Sequence, residues 1–274
     1  MIEGSNAHRG KMTFGMIEAI APAQIASRQP ETASSAGSRS QSFSYGRKPG
    51  SIRAISIPGP VGNLEAVLNV GSPDAPFAAL VCHPHPVFGG NLHNKVVYAA
   101  MKALNHPDWG LGFPVLRFNF RCAGLSEGKH DGKAEASDVL AALDWLQHEF
   151  HLPLVVAGFS FGAAMVLRAC DTSANTARAQ SCNPDLRALI ALGLPIQALG
   201  RAYDYSFLRR LSMPKLVVSG DRDQFAPVEQ LTQMVRSAAD PKRLFLLPDS
   251  DHFFTGHLAP MQRVIANWIK EQVR

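Results

Sequence analysis

The stretch Leu154-Val155-Val156-Ala157-Gly158-Phe159-Ser160-Phe161-Gly162-Ala163-Ala164 joins a short apolar run to a helix-period run, Ala163 to Cys170, through a Gly-x-Ser-x-Gly turn. The pentapeptide alone is weak, since ordinary glycine and serine frequencies produce it in roughly one chain in ten of this length. Its setting decides the reading. A strand that ends in a sharp turn into a helix forces the serine into a strained conformation, and the flanking glycines remove side chains that would strike neighbouring elements. The Ser160 hydroxyl is then presented above the sheet. The helix behind it offers unpaired backbone N–H groups and the positive end of its dipole, which suits a place where an oxyanion forms.

A serine hydroxyl is a poor nucleophile at neutral pH and needs a base, and the base needs a group to orient it. The apolar run Lys215 to Gly220 is followed by Asp221-Arg222-Asp223-Gln224-Phe225-Ala226-Pro227, which sets a carboxylate, Asp221 or Asp223, at a strand's C-terminal edge. Likewise Arg243 to Pro248 is followed by Asp249-Ser250-Asp251-His252-Phe253-Phe254. His252, a short loop beyond its strand, is the candidate base. His257 sits at the start of the last helix, where a histidine is commonly a surface residue. The order Ser, Asp, His along the chain is that of an α/β-hydrolase and differs from those of chymotrypsin and subtilisin. Three strand ends on one sheet edge can converge, and that edge is where open α/β sheets place ligands.

The rest of the chain supplies such a sheet. Further apolar runs, Phe77 to Cys82, Val115 to Phe120 and Leu186 to Leu192, are near-continuous rather than alternating, as strands covered by helices on both faces must be. Arg53 to Pro58 and Asn63 to Val70, joined by Gly59-Pro60-Val61-Gly62, predict an antiparallel hairpin that starts the sheet. Between strands lie helices. Ala134 to Glu149 carries Val139, Leu140, Leu143 and Leu146 on one face, and the helix from about Leu258 to Val273 carries Leu258, Met261, Val264, Ile265, Trp268 and Ile269.

A chain of 274 residues, 46% hydrophobic and 18% charged, has ample apolar material for a folded core of this kind. No run is long and apolar enough for a membrane-spanning helix. The four cysteines, Cys82, Cys122, Cys170 and Cys182, are too scattered for a disulfide scaffold and form no CxxC pair, which favours a reducing, cytoplasmic setting. The net charge of +5 does not make a nucleic-acid protein: six Lys or Arg against three acids in residues 1–50 account for +3 of it, leaving an ordinary surface. Residues 1–50 lack periodic apolar spacing and read as a disordered tail ahead of one domain, 51–274. Their acid-poor, Arg- and Ser-rich composition keeps a transit peptide, and with it an organelle matrix, as the alternative location.

From Ser51 to Arg274 the sequence resembles the α/β-hydrolase superfamily, and within it the small lidless serine hydrolases related to dienelactone hydrolases. Beyond the Ser, Asp, His order, the resemblance rests on several motifs. They are Cys82-His83-Pro84-His85-Pro86, Gly89-Gly90, Asn94-Lys95-Val96-Val97, Arg117-Phe118-Asn119-Phe120-Arg121, Gly124, Ser126-Glu127-Gly128 and Asp251-His252-Phe253-Phe254. Cys122 departs from it, standing where such proteins often have glycine. The resemblance implies a doubly wound, mostly parallel sheet. Its Gly-x-x-Asp before x-x-x-Pro selects Asp223, three residues after Gly220 and four before Pro227, over Asp221. It also places the loop after Phe77 to Cys82 opposite the serine. Proline has no N–H, so the backbone N–H of His85, with that of Phe161, is the expected oxyanion hole. No cofactor and no metal is expected. His83, His85 and His93 on an extended segment are the rival metal reading, without a nearby acid to complete it.

Only Pro195 to Pro214 separates the strands flanking the usual lid insertion, so no lid domain is expected. Tyr203, Tyr205, Phe207, Leu208, Phe159, Phe161, Phe225 and Phe253 either line an open apolar pocket or pack the core. The expected function is cleavage of small acyl esters or thioesters through an acyl-enzyme on Ser160. A non-catalytic ligand-binding protein on the same fold is the alternative. The sequence leaves oligomeric state and acyl group open.

Overall fold

Strands buried on both faces need helices on both sides, and the connections supply them. The computed structural model describes residues 50–171, 185–198 and 201–272. In chain order the elements begin with β1 (Ile52–Gly59), β2 (Gly62–Asn69), β3 (Ala78–Cys82), α1 (Lys95–Asn105), β4 (Val115–Phe118), α2 (Glu135–Phe150), β5 (Leu154–Phe159) and α3 (Phe161–Cys170). They continue with β6 (Leu186–Leu192), β7 (Gln197–Ala198), β8 (Arg201–Ala202), β9 (Lys215–Gly220), α4 (Val228–Ser237), β10 (Lys242–Leu247) and α5 (Leu258–Gln272). The tail reading falls on residues 1–49, and that of Cys182 on 172–184; both lie outside the described residues.

Eight strands form one sheet in the order β1-β2-β4-β3-β5-β6-β9-β10. The hairpin β1/β2 pairs Ile52 with Asn69 through Gly59 with Gly62, and β2 is also antiparallel to β4; every other pairing is parallel. This is the α/β-hydrolase architecture expected above. Alternate side chains of β5 serve opposite layers: Leu154 and Val156 enter the layer with Val139, Leu143, Leu146 and Val166, whereas Val155, Ala157 and Phe159 enter the one with Val97, Met261, Ile265 and Ile269. The apolar stripes of α2 and α5 therefore pack against the sheet as their spacing predicts. Helices α1 and α4 complete the set. The interval between β6 and β9 holds, among its described residues, only the small β7/β8 pair and a 3-10 turn over Ser206–Arg209, so no lid domain stands there.

The motif residues around Arg117 turn out to be braces. Arg117, 3% exposed, donates from Nη1 to the Leu92 carbonyl at 2.9 Å and from Nη2 to Asn69 Oδ1 at 3.0 Å. Asn119 accepts the Leu92 N–H at 2.8 Å and donates to Glu65 Oε2 at 2.7 Å. Arg121 clamps Asp138 of α2, which is fully buried, with an Nη2–Oδ1 contact of 2.6 Å and Nε contacts of 3.0 and 3.1 Å. Losing either partner of that buried pair would strand a charge, at a cost of about 3–5 kcal/mol. Cys122, next in line, is exposed at φ 71°, the left-handed region that glycine fills without strain.

Candidate active site

Ser160 links β5 to α3 with φ 55° and ψ −119°, a conformation held by the fold around it. Its N–H is tied to the Leu192 carbonyl at 2.9 Å, and its own carbonyl accepts the Ala164 N–H at 3.1 Å. Two close approaches make the turn and need glycine. A Cβ on Gly158 would lie 2.5 Å from the Gly162 carbonyl, and one on Gly162 would lie 2.5 Å from the His83 carbonyl oxygen. The strained serine between two crowded glycines is the arrangement read from the sequence.

The ends of β5, β9 and β10 bring the three sequence candidates together. His252 Nε2 lies 3.0 Å from Ser160 Oγ, and His252 Nδ1 lies 2.8 Å from Asp223 Oδ2. Asp223 is 4% and His252 3% exposed, so the pair is screened from water while the serine stays half-buried. Asp223 is fully engaged: Oδ1 accepts the Phe225 N–H at 2.8 Å, and Oδ2 also accepts the Ser219 hydroxyl at 3.3 Å. Asp221, the other carboxylate of that loop, is exposed. His257 turns away, with Nδ1 2.9 Å from the Thr255 carbonyl.

The imidazole is boxed by Phe159, Phe225 and Phe253, with ring centroids 5.2, 4.6 and 5.1 Å away. A Cβ on Gly193 would come within 3.2 Å of His252 Cε1, so that glycine makes room for the ring. The loop carrying His252 is fastened by Asp251, whose Oδ1 accepts the N–H groups of Phe253 at 3.0 Å and Thr255 at 2.9 Å. Those bonds, the one from Thr255 first, hold its carboxyl below the usual range. Neither Gly193, Ser219 nor Asp251 was singled out for this supporting part from the sequence; each acts through a contact that no local spacing displays.

Facing the serine is the loop after β3. His83 is fully buried, its Nδ1 2.6 Å from the Pro84 carbonyl and its Nε2 2.9 Å from the Phe120 amide. Burial pushes its pKa down to about 4, so the ring is neutral: Nδ1–H donates to Pro84 and Nε2 accepts from Phe120. That geometry staples the loop to the end of β4. Both ring nitrogens of His83 are committed to backbone, which takes it out of the rival metal reading, and His93 is exposed. Among the described residues, no group of three His, Cys, Asp or Glu side chains could hold a metal ion. Burial also raises the Cys82 thiol well above its ordinary pKa, which keeps it protonated and inert.

The backbone N–H groups of His85 and Phe161 have no hydrogen-bond partner among the described residues. Their rings touch, with centroids 4.8 Å apart. Of the eight side chains that either line a pocket or pack the core, Phe159, Phe161, Tyr205 and Leu208 are buried core residues, and Tyr205 spends its hydroxyl on the Pro195 carbonyl at 2.8 Å. Phe253 is 43% exposed beside His252 and borders the open site. A groove of about 460 Å³ exists elsewhere, between β10 and α5 around Arg243, Phe245, Arg263 and Trp268. None of Ser160, Asp223, His252, His85 and Phe161 lines it.

Known proteins agree with this fold. A family model described as an alpha/beta hydrolase domain matches residues 89–266. The chain is 32% identical over 224 residues to the uncharacterised protein RP471 of Rickettsia prowazekii, covering 78% of this chain and 87% of that one. Among solved structures it is similar to XC6422 from Xanthomonas campestris, described as a serine hydrolase without lid, with TM-score 0.68, 32% identity, and 82% of this chain and 96% of that one covered. A serine hydrolase homologue from Coxiella burnetii gives TM-score 0.66 at 31% identity, over 78% of this chain and 96% of the other. Identity above 30% over about four-fifths of the chain, together with the family match over residues 89–266, means shared descent: the chain belongs to the α/β-hydrolase family.

Proposed function

We propose that the protein is a serine hydrolase that cleaves small acyl esters or thioesters through an acyl-enzyme on Ser160. The observation that carries this reading is the continuous line of hydrogen bonds from Ser160 Oγ through His252 to Asp223. In the first step His252 Nε2 accepts the serine proton as Oγ attacks the substrate carbonyl carbon. Asp223 fixes the proton on Nδ1 and stabilises the imidazolium that forms. The carbonyl oxygen gains negative charge facing the Phe161 and His85 N–H groups, which donate to it. Collapse expels the alcohol or thiol, protonated by His252 Nε2–H. Water then repeats the cycle: His252 removes its proton, the hydroxide attacks the acyl carbon, and Ser160 leaves with the proton returned.

The open rim around Phe253 and the short β6–β9 interval favour small acyl groups over long chains. A cytoplasmic setting belongs to the same reading, on the cysteine distribution already given. The test is labelling by a fluorophosphonate probe, wild type against Ser160→Ala, with turnover of p-nitrophenyl acetate and butyrate measured in the same samples. Labelling and turnover that vanish together in Ser160→Ala are expected. A wild type that neither labels nor turns over either ester would overturn the reading in favour of a ligand-binding protein.

A further inference from the structure

A polar cluster outside the Ser160–His252–Asp223 line packs against the two rings of the proposed oxyanion hole. The Arg201 guanidinium lies 5.3 Å from the Phe161 ring centroid. The His85 and His130 rings meet at 4.6 Å, tilted by 56°, and His130 also meets Phe161 at 5.7 Å. Arg201 engages the Tyr203 hydroxyl. Beside it Gly132, at φ +85°, leaves the space: a Cβ there would sit 2.7 Å from Arg201 Nη2.

Arg201 has no carboxylate in direct contact among the described residues. Glu135 is buried, but no carboxylate lies within 4 Å of Arg201 among the described residues. Glu135 Oε1 accepts the Asp131 N–H at 3.0 Å and stands 2.6 Å from His130 Nδ1, though out of line for a hydrogen bond. Asp131, exposed, spends its Oδ1 on the Lys133 and Ala134 N–H groups at 2.7 and 2.6 Å. Arg201 Nη1 and His85 Nδ1 are buried atoms with no hydrogen-bond partner, as are His130 Nδ1 and Glu135 Oε2. Three of these, on Arg201, His85 and His130, belong to groups that can donate to an anion, and a guanidinium over an aromatic face presents its free edge for a planar acceptor. Burial and the neighbouring Arg201 charge push the His85 pKa down to about 4, so its ring is neutral and has one N–H to give.

The cluster's position assigns it to one side of the substrate. The leaving group must lie against His252, which protonates it, and His252 is boxed by Phe159, Phe225 and Phe253. Arg201, His85 and His130 pack instead on Phe161, which none of those three rings touches. We propose that Arg201, with His85 and His130, binds a carboxylate at the far end of the acyl group, so that the preferred substrates are monoesters or monothioesters of short dicarboxylic acids.

This inference rests on the hydrolase reading, and the experiment separates the two. Monoethyl glutarate and ethyl pentanoate present the same leaving group on a charged and a neutral acyl chain, and acid release from both is followed in a pH-stat for wild type, Arg201→Met and Arg201→Lys. Glutarate binding to wild type and Arg201→Met is measured by calorimetry alongside. The expected result is a wild-type kcat/KM ratio favouring the charged ester by about tenfold or more, a ratio that collapses in Arg201→Met and stays intermediate in Arg201→Lys, with glutarate binding lost in Arg201→Met. Turnover of both esters with equal kcat/KM, or a ratio insensitive to Arg201, overturns the subsite and leaves the hydrolase reading standing. Arg201-dependent glutarate binding without turnover of either ester supports the subsite and overturns the hydrolase reading. Neither binding nor turnover overturns both.

Discussion

Asp223→Asn is the substitution for which the structure dictates a mechanism of failure rather than a general loss. Asp223 Oδ1 accepts the Phe225 amide at 2.8 Å, while Oδ2 faces His252 Nδ1 at 2.8 Å. An asparagine must keep its oxygen toward the Phe225 N–H, because the reverse orientation sets two donors against each other in a buried site. Its NH2 therefore points at His252 Nδ1 and donates. That forces the imidazole proton onto Nε2, which lies 3.0 Å from Ser160 Oγ and in the proposed mechanism accepts the serine proton. With the wrong tautomer locked in, kcat should fall about 10⁴-fold, or ~5 kcal/mol of transition-state stabilisation. The geometry itself should survive, since side-chain size is unchanged. The assay is kcat/KM for p-nitrophenyl acetate, with circular dichroism to verify folding. Asp221→Asn serves as the control: its carboxylate is exposed two residues away and outside the hydrogen-bonded line, so kcat/KM should stay within about twofold. Retention of more than a tenth of wild-type activity in Asp223→Asn, or an equal loss in Asp221→Asn, would refute the tautomer argument and with it the choice between the two aspartates.

Three further outcomes follow from the local geometry. Cys122→Gly relieves a left-handed residue at φ 71°, worth about 1–2 kcal/mol, less the extra freedom glycine has when unfolded. The net gain of ~0.5–1 kcal/mol should raise Tm by a few degrees in calorimetry, and a lower Tm would count against it. Gly162→Ala places a methyl 2.5 Å from the His83 carbonyl oxygen and 2.6 Å from that of Cys82, both backbone atoms. A loss of about 1–3 kcal/mol is expected from the denaturant midpoint, and an unmoved midpoint would show the loop to be yielding. His83, with its pKa lowered to about 4, binds fewer protons folded than unfolded between that pH and about 6.5. Stability must therefore rise with pH through this window, and its contribution, up to about 3 kcal/mol, is lost as pH falls through it. Nitrogen-15 spectra of labelled histidine should show His83 neutral and Nδ1-protonated at pH 5.5; titration near 6.5 would contradict the burial argument.

What the sequence could and could not disclose divides along the range of the interactions. The strands were legible because two-sided burial writes itself into contiguous apolar residues: the runs read at Leu186 to Leu192 and Lys215 to Gly220 coincide with β6 and β9, and the others differ from their strands by one or two residues at one or both ends. Ser160 was legible because a strand, two obligatory glycines and a helix are neighbours in the chain. The line from Ser160 to His252 to Asp223 spans separations of 92 and 29 residues, yet it could be anticipated, because strand ends in a parallel sheet share one edge. No such rule reaches the braces. Arg121 and Asp138 are 17 residues apart and His83 and Phe120 are 37 apart, joined by hydrogen bonds whose partners the pattern of apolar residues does not record. The same holds for the cluster on Phe161, assembled from the loop after β3, the turn before α2 and the start of β8. Chain periodicity reports which faces are buried, whereas specificity depends on which polar groups are buried without a partner of their own, and that is a property of the assembled fold. Arg201 illustrates the difference: within the sequence it is one basic residue in a short interval between two strands, and only its place over the Phe161 ring and the gap at Gly132 turn it toward a substrate.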